Sequence, residues 1–224
     1  MQTGNEVSIE DLAQWVSVRA YGDRRYVVGV AGPPAAGKST LAANLAAAIT
    51  ERANINAQIA PMDGFHRTSA ELRAVGAEHR KGEPDTFDVA GFLARLEMLR
   101  ETPLGERVDW PIYSRAIDDP VPDAISFTDH TIAIVEGNYL LLDQPGWSDV
   151  RGYLDEAWFL SADNAVLVER LIERHRLGGK DPAQVEVKVT DSDLPNADLV
   201  APTQQHADLV LREAGCKYVV CRIR

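Results

Sequence analysis

Cysteine is scarce: the 224 residues hold two, Cys216 and Cys221, both in the apolar tail "GCKYVVCRIR", which reads as a last strand. Five residues of strand span roughly 17 Å and put the two side chains on opposite faces, beyond disulfide reach, so free thiols in a reducing compartment are expected. Long apolar runs are missing too, and none approaches the ~18 residues of a membrane span. The N-terminal "MQTGNEVSIEDLAQWVSVRA" has neither a basic nor an apolar leader region. Its Ile9, Leu12, Trp15 and Val16 recur at helical spacing, which predicts a docking helix instead of a signal peptide. A soluble, cytoplasmic protein is expected.

Positive charge is also lacking. Against 34 acidic residues stand 23 basic ones, a net charge of −11, which argues against nucleic-acid polymers or anionic membranes as partners. Any bound anion needs a local cationic pocket. Neither an internal repeat nor a low-complexity linker interrupts the chain. With 45% hydrophobic residues, the length suits one domain over residues 1–224.

What is present is a rhythm of short β-rich runs and longer amphipathic ones. "RYVVGVAG", "INAQIAPM", "TIAIVEG", "EAWFLSA" and "ADLVLRE" read as strands. Leu41, Leu45, Ala48 and Ile49 share one helical face, as do Phe92, Leu93, Leu96 and Leu99. This βαβα order implies an α/β fold with a mostly parallel sheet covered by helices. Two segments break the rhythm, Arg67 to Asp88 and Leu177 to Thr203. Such excursions tend to lie over the carboxyl edge of the sheet, where ligands bind, and are candidate substrate-side and lid elements.

"GPPAAGKS", Gly32 to Ser39, fits G-x-x-x-x-G-K-[ST] between an apolar strand and a run of helix formers. Gly32 and Gly37 let backbone N–H groups curl around a phosphate, and the following helix adds the positive end of its dipole. Ala35, Ala36 and Thr40 belong to the same cradle. Lys38 is placed to reach the β and γ phosphates and Ser39 to ligate Mg²⁺, so a nucleotide polyphosphate with Mg²⁺ is the expected occupant.

Two other strand ends carry carboxylates. Glu136, in "IVEGNYLLLD", suits the metal or its waters, and Asp63, in "APMDGFH", suits proton abstraction from a substrate hydroxyl or the metal shell. Asp63 could equally be the first residue of a plain Asp-Gly turn. A GTPase would show an Asn-Lys-x-Asp element, which is absent, and "DQPG" at 143 to 146 is only a faint echo of a switch.

With these residues in view, the sequence resembles the P-loop small-molecule kinases that include uridine kinase, bacterial type I pantothenate kinase and phosphoribulokinase. It is most like the bacterial branch of nucleoside or fructose-transport-system kinases. "GPPAAGKST", "PMDGFH", "RKGEPDTFD", "YSR", "VEGNYLLLD", "RLIERHRLGG" and "PNADLV" carry the likeness in this order, from Gly32 to Val200. The resemblance implies a three-layer P-loop fold with a five-stranded parallel sheet. It also implies transfer of the ATP γ-phosphate to a hydroxyl of a small metabolite, with Asp63 as activating base and Glu136 near the metal.

The late helix suits a lid: Arg170 and Arg174 share a face, with Arg176 just beyond, and Arg174 and Arg176 are the preferred phosphate ligands. His66, Arg80, Lys81, Tyr113, Arg115, Asn138 and Tyr139 are the candidates for acceptor binding. Each has a plain alternative, a loop contact, a core aromatic or a charge pair within "RKGEPD". Nucleoside, sugar and pantothenate-like acceptors all fit, and a homodimer is in keeping with the group. A nucleotide-binding regulatory ATPase without an acceptor is the alternative; a polynucleotide kinase is disfavoured by the acidic charge.

Overall fold

A computed structural model describes residues 1–53, 55–179 and 181–224. Its elements run β1 (Glu6–Val7), α1 (Ile9–Ser17), β2 (Tyr26–Ala31), α2 (Lys38–Ala53), β3 (Ala57–Pro61), α3 (Ser69–Ala74), α4 (Val89–Glu101), β4 (Val108–Ser114) and β5 (Asp119–Phe127). There follow β6 (Ile132–Gly137), β7 (Glu156–Ser161), α5 (Asn164–Leu177), α6 (Pro182–Lys188), α7 (Leu194–Val200), β8 (Leu209–Ala214) and β9 (Lys217–Ile223).

The main sheet has the order β1-β9-β8-β7-β2-β6-β3. Five strands, β3, β6, β2, β7 and β8, pair in parallel with β3 at one edge, and β9 and β1 extend the other side antiparallel. The sheet therefore has seven strands where five were expected. The chain reverses at Gly215 (φ 64°) and lays β9 against β8, and the short β1 then pairs with β9.

Side-chain alternation along the strands fills both faces, as a parallel sheet requires. Val27, Ala133, Val135, Ala157 and Phe159 point into one core with Phe92, Leu96 and Leu99 of α4. Val28, Val30, Ile132, Ile134, Trp158 and Leu160 point into the other with Leu12 and Val16 of α1, Leu41 and Leu45 of α2 and Leu171 of α5. The expected N-terminal helix is α1, closed at its start by a reciprocal Ser8–Asp11 capping box. No helix among the described residues is long and apolar enough to cross a membrane. Cys216 and Cys221 are free and exposed.

The antiparallel β4–β5 hairpin was not legible as strands. Pro111, Pro120 and Pro122 interrupt its pattern, and the register shifts between Trp110 and Ile112. Of the two excursions, the first holds α3 and two 3-10 turns, and the second holds α6, a π-helical turn and α7. Lys180, inside the expected lid, lies outside the described residues.

Arg25 ties the α4 face together. Its side chain is fully buried, with no carboxylate partner among the described residues. Nη1 donates to Thr102 O (2.7 Å) and Leu99 O (3.5 Å), and Nη2 to Thr128 O (2.5 Å) and Glu106 O (3.2 Å). Burial pushes its pKa down from the ordinary arginine value. Truncation leaves buried carbonyls unpaired, so Arg25→Met is expected to destabilise the fold by about 3 kcal/mol or more in urea unfolding followed by circular dichroism. An unchanged midpoint would mean that those carbonyls find other partners.

Candidate active site

The chain leaves β2 through Gly32, where φ is 152° and a Cβ would lie 2.5 Å from the carbonyl oxygen of Leu160 on β7. Glycine is therefore demanded by backbone packing. The turn then takes Ala35 into the left-handed region (φ 63°), at some cost for a residue with a Cβ, before α2 begins at Lys38. The first helical acceptor, Gly37 O, is taken by Leu41 N at 2.9 Å. The N–H groups of Lys38, Ser39 and Thr40 precede any intrahelical acceptor and face outward for an anion.

These residues, with Ala35 and Gly37, line a cavity of about 350 Å³. Gly32 and Ala36 stand behind it as scaffold. Ala36 O accepts from Arg170 Nη1 at 3.4 Å.

The acids arrive from the neighbouring strands. In register, Glu136 of β6 lies beside Val30 on β2 and Pro61 on β3. The next residue, Gly137, allows Met62 to pack so closely that a Cβ would sit 2.5 Å from Met62 Cβ. That approach seats the 3-10 turn Met62–Phe65, and with it Asp63, over the end of β6.

Ser39 Oγ donates to Glu136 Oε1 at 3.2 Å, and Lys38 Nζ donates to Pro33 O at 2.9 Å. Lys38 and Glu136 are only 7% and 8% exposed. Burial pushes the Lys38 ammonium down to about 8, against the pull of Glu136 and Asp63 and with a push from Arg174. Burial, reinforced by Asp63 and opposed by Lys38, pushes the Glu136 carboxyl up to about 7.

A second cavity, about 810 Å³, opens beside the first. Pro34, Asp63, Arg115, Asn138 and Arg174 line both. His66, Lys81 and Tyr113 line the second. His66 Nδ1 lies 2.8 Å from Asp63 O, and a carbonyl only accepts, so Nδ1 carries the proton and Nε2 is left as an acceptor. Burial pushes the His66 pKa down, which keeps the ring neutral. The ring packs against Phe87 and Tyr113 at centroid distances of 4.0 and 4.7 Å. Tyr113 Oη donates to Asp118 at 2.8 Å, and Lys81 Nζ donates to Ser69 Oγ at 2.7 Å and Asp119 at 2.9 Å.

Three expected site residues lie elsewhere. Arg80 pairs with Glu83 (2.7 Å) and Asp85 (2.8 Å) and lines neither cavity. Tyr139 is fully buried and donates to Gly82 O at 2.6 Å, bracing the loop from within. Arg176 is exposed and lines neither cavity, whereas Arg170 lines the first. Helical phase explains this exchange, since two residues turn about 200° and carry Arg176 away from Arg174.

Other lining residues had not been singled out: Glu213 in the first cavity, and His175, Ser192, Asp193 and Asn196 in the second. Asn196 is 7% exposed and its amide has no hydrogen-bond partner among the described residues. The motif "PNADLV" was the only sequence signal for it.

No group of three or more His, Cys, Asp or Glu among the described residues could hold a metal by itself. The hard oxygens of Ser39 and Glu136 suit Mg²⁺, which commonly takes one or two protein ligands and completes its shell with phosphates and water. The free N–H groups, the buried lysine and this oxygen pair together fit a magnesium-bound polyphosphate.

Comparison with known proteins agrees. A sequence model of the phosphoribulokinase/uridine kinase family matches residues 27–220. The chain belongs to this family. Among its relatives, the uncharacterized protein YggC of Escherichia coli (strain K12) is 38% identical over 189 residues, 84% of this chain and 78% of that protein. A protein of Schizosaccharomyces pombe named "Putative uridine kinase C227.14" is 35% identical over 204 residues, 88% and 86% of the two chains. The crystal structure of a "putative fructose transport system kinase" from Silicibacter sp. TM1040 superposes with a TM-score of 0.83 at 34% identity, covering 91% of this chain and 98% of that one. The phosphoribulokinase/uridine kinase family is one of P-loop small-molecule kinases, and the fold here is the P-loop kinase fold.

In this family member the depressed Lys38 pKa has a readable consequence. A polyphosphate selects the ammonium form, which is already populated below about pH 8 and must be regained above it. ATP affinity is therefore expected to fall by up to about tenfold per pH unit above pH 8, with net proton uptake. Calorimetry on Asp63→Asn protein in buffers of different ionisation enthalpy measures both. A flat affinity from pH 7.5 to 9.5 would contradict the assignment of Lys38 to the phosphates.

Proposed function

We propose that this protein transfers the γ-phosphate of ATP to a hydroxyl of a small polar metabolite, of the nucleoside, sugar or pantothenate-like kind. The observation that carries the reading is Asp63, a carboxylate on the wall common to a phosphate-type cavity and a larger polar one. A base at that junction can take the proton of a hydroxyl held in the larger cavity as its oxygen bonds to the γ-phosphorus. The bond from phosphorus to the bridging oxygen then breaks and ADP departs.

Lys38 and the α2 N-terminus hold the β and γ phosphates. Arg115 and Arg174, at the same junction, offset negative charge on the transferring group. Ser39 and Glu136 would hold Mg²⁺, which supplies charge neutralisation on the phosphate oxygens when bound.

The larger cavity supports a hydroxylated acceptor. It offers His66 Nε2 as an acceptor, the amides of Asn138 and Asn196 as donors and acceptors, and Phe87 and Tyr113 as flat apolar walls. Its size is that of a metabolite pocket.

The test is ADP release with Mg²⁺ and ATP against nucleosides, ketoses, aldoses and pantothenate. One acceptor class is expected to stimulate turnover, with Asp63→Asn losing roughly 10²- to 10⁴-fold and Lys38→Ala losing a comparable factor. If ATP binds and neither the panel nor a metabolite extract accepts phosphate, the regulatory ATPase alternative replaces this reading.

A further inference from the structure

Asp193 ends the π-helical turn Val189–Asp193 between α6 and α7. Such turns redirect side chains and are frequent at functional sites. Its side chain is 9% exposed and gathers two neighbours from α5. Its Oδ2 lies 2.6 Å from His175 Nε2, and its Oδ1 lies 3.5 Å from Arg174 Nη2.

These two contacts differ in kind. The His175 contact is short and buried and fixes the aspartate. The Arg174 contact is longer than the roughly 2.7–2.9 Å of a closed charge-assisted bond, so it directs the guanidinium without capturing it. Arg170 offers the contrast, because it is closed on Glu213 at 2.6 Å. Arg174 meanwhile lines both cavities, and its charge reaches Lys38.

We propose that Asp193, anchored by His175, is a positioning residue that steers Arg174 to the junction of the two cavities. The inference rests on the phosphotransfer reading above. An arginine side chain has several rotatable bonds, and holding it near its working position before ATP arrives removes reorganisation from the reaction itself. The loose contact lets the guanidinium move onto phosphate oxygens without breaking a closed fork.

The test is a double-mutant cycle of Asp193→Asn and Arg174→Ala, assayed with the acceptor that the panel identifies. Asp193→Asn alone is expected to lower kcat roughly ten- to hundredfold while the acceptor KM stays within about twofold. In the Arg174→Ala background it is expected to add nothing, since it acts through that arginine. Full additivity, or a rise in acceptor KM with kcat unchanged, would overturn the inference and make Asp193 an acceptor ligand. An inert Arg174→Ala would overturn it as well.

His175→Ala, which keeps the carboxylate and removes its anchor, is expected to give a smaller kcat loss that also vanishes in the Arg174→Ala background. It serves in place of Asp193→Asn if that variant fails to fold. A readout without turnover separates the two claims. The Arg174 Nε–H signal in ¹⁵N NMR should be ordered in the ligand-free protein and averaged in whichever variant of the anchor folds. An unchanged signal counts against positioning alone, and a wild-type protein with no acceptor-stimulated turnover counts against phosphotransfer alone.

Discussion

The site depends first on the parallel pairing of β2 with β6 on one side and β7 on the other. Because β2 is central and its neighbours come later in the chain, the connections leaving its end and those of β3 and β6 diverge around a crevice at the carboxyl edge. Two close approaches at glycine set the width of that crevice. Gly32 lies against the Leu160 carbonyl and Gly137 against Met62, and a single Cβ at either would displace the phosphate turn or the Asp63 turn. Spacing of the main chain thus precedes every side-chain role.

That spacing crowds charge into little volume. Lys38, Glu136 and Asp63 interact closely, and the attraction of the lysine to the two carboxylates does not offset desolvation and carboxylate repulsion, since the lysine pKa falls and the Glu136 pKa rises. Both shifts disfavour the charged forms, so the ligand-free site lacks charges that a polyphosphate and a divalent cation would supply. Arg25 is the opposite case. It is also buried, yet its Nη1 and Nη2 meet four carbonyls and it lines neither of the two cavities, so its role is to hold α4 and the hairpin to the sheet.

The phosphate half of this arrangement was legible in the sequence because it is local. Eight consecutive residues between a strand and a helix state the backbone and side-chain chemistry together, and the five parallel strands announce themselves as apolar runs. Glu136 and Asp63 followed from their places at strand ends. Sequence proximity points to Arg176, which helical phase carries away from the cavities, and the motif that points to Arg80 also contains the acids that bind it. Asn196 is marked only by "PNADLV", and Asp193 and Glu213 carry no sequence signal because they reach the cavities through elements that meet only after folding.

The acceptor half is built differently, and its construction explains that opacity. Beyond Pro34, Asn138 and the end of α5, its wall comes from four separated stretches: the Asp63 turn, the loop after α3, the hairpin tip and the turns around α6 and α7. Each is irregular, with 3-10 turns, a left-handed Asp118 or a π-helical turn, so periodicity gives little warning of it. The loop after α3 is nevertheless pinned at three points: Tyr139 Oη donates to Gly82 O, Trp147 Nε1 to Pro84 O, and Lys188 Nζ to Lys81 O. These pins do not pass through the phosphate turn or the end of β2. Substitutions along the wall outside the residues shared with the first cavity, Pro34, Asp63, Arg115, Asn138 and Arg174, can therefore reshape acceptor recognition while leaving the crevice width, and with it the phosphate half, unchanged.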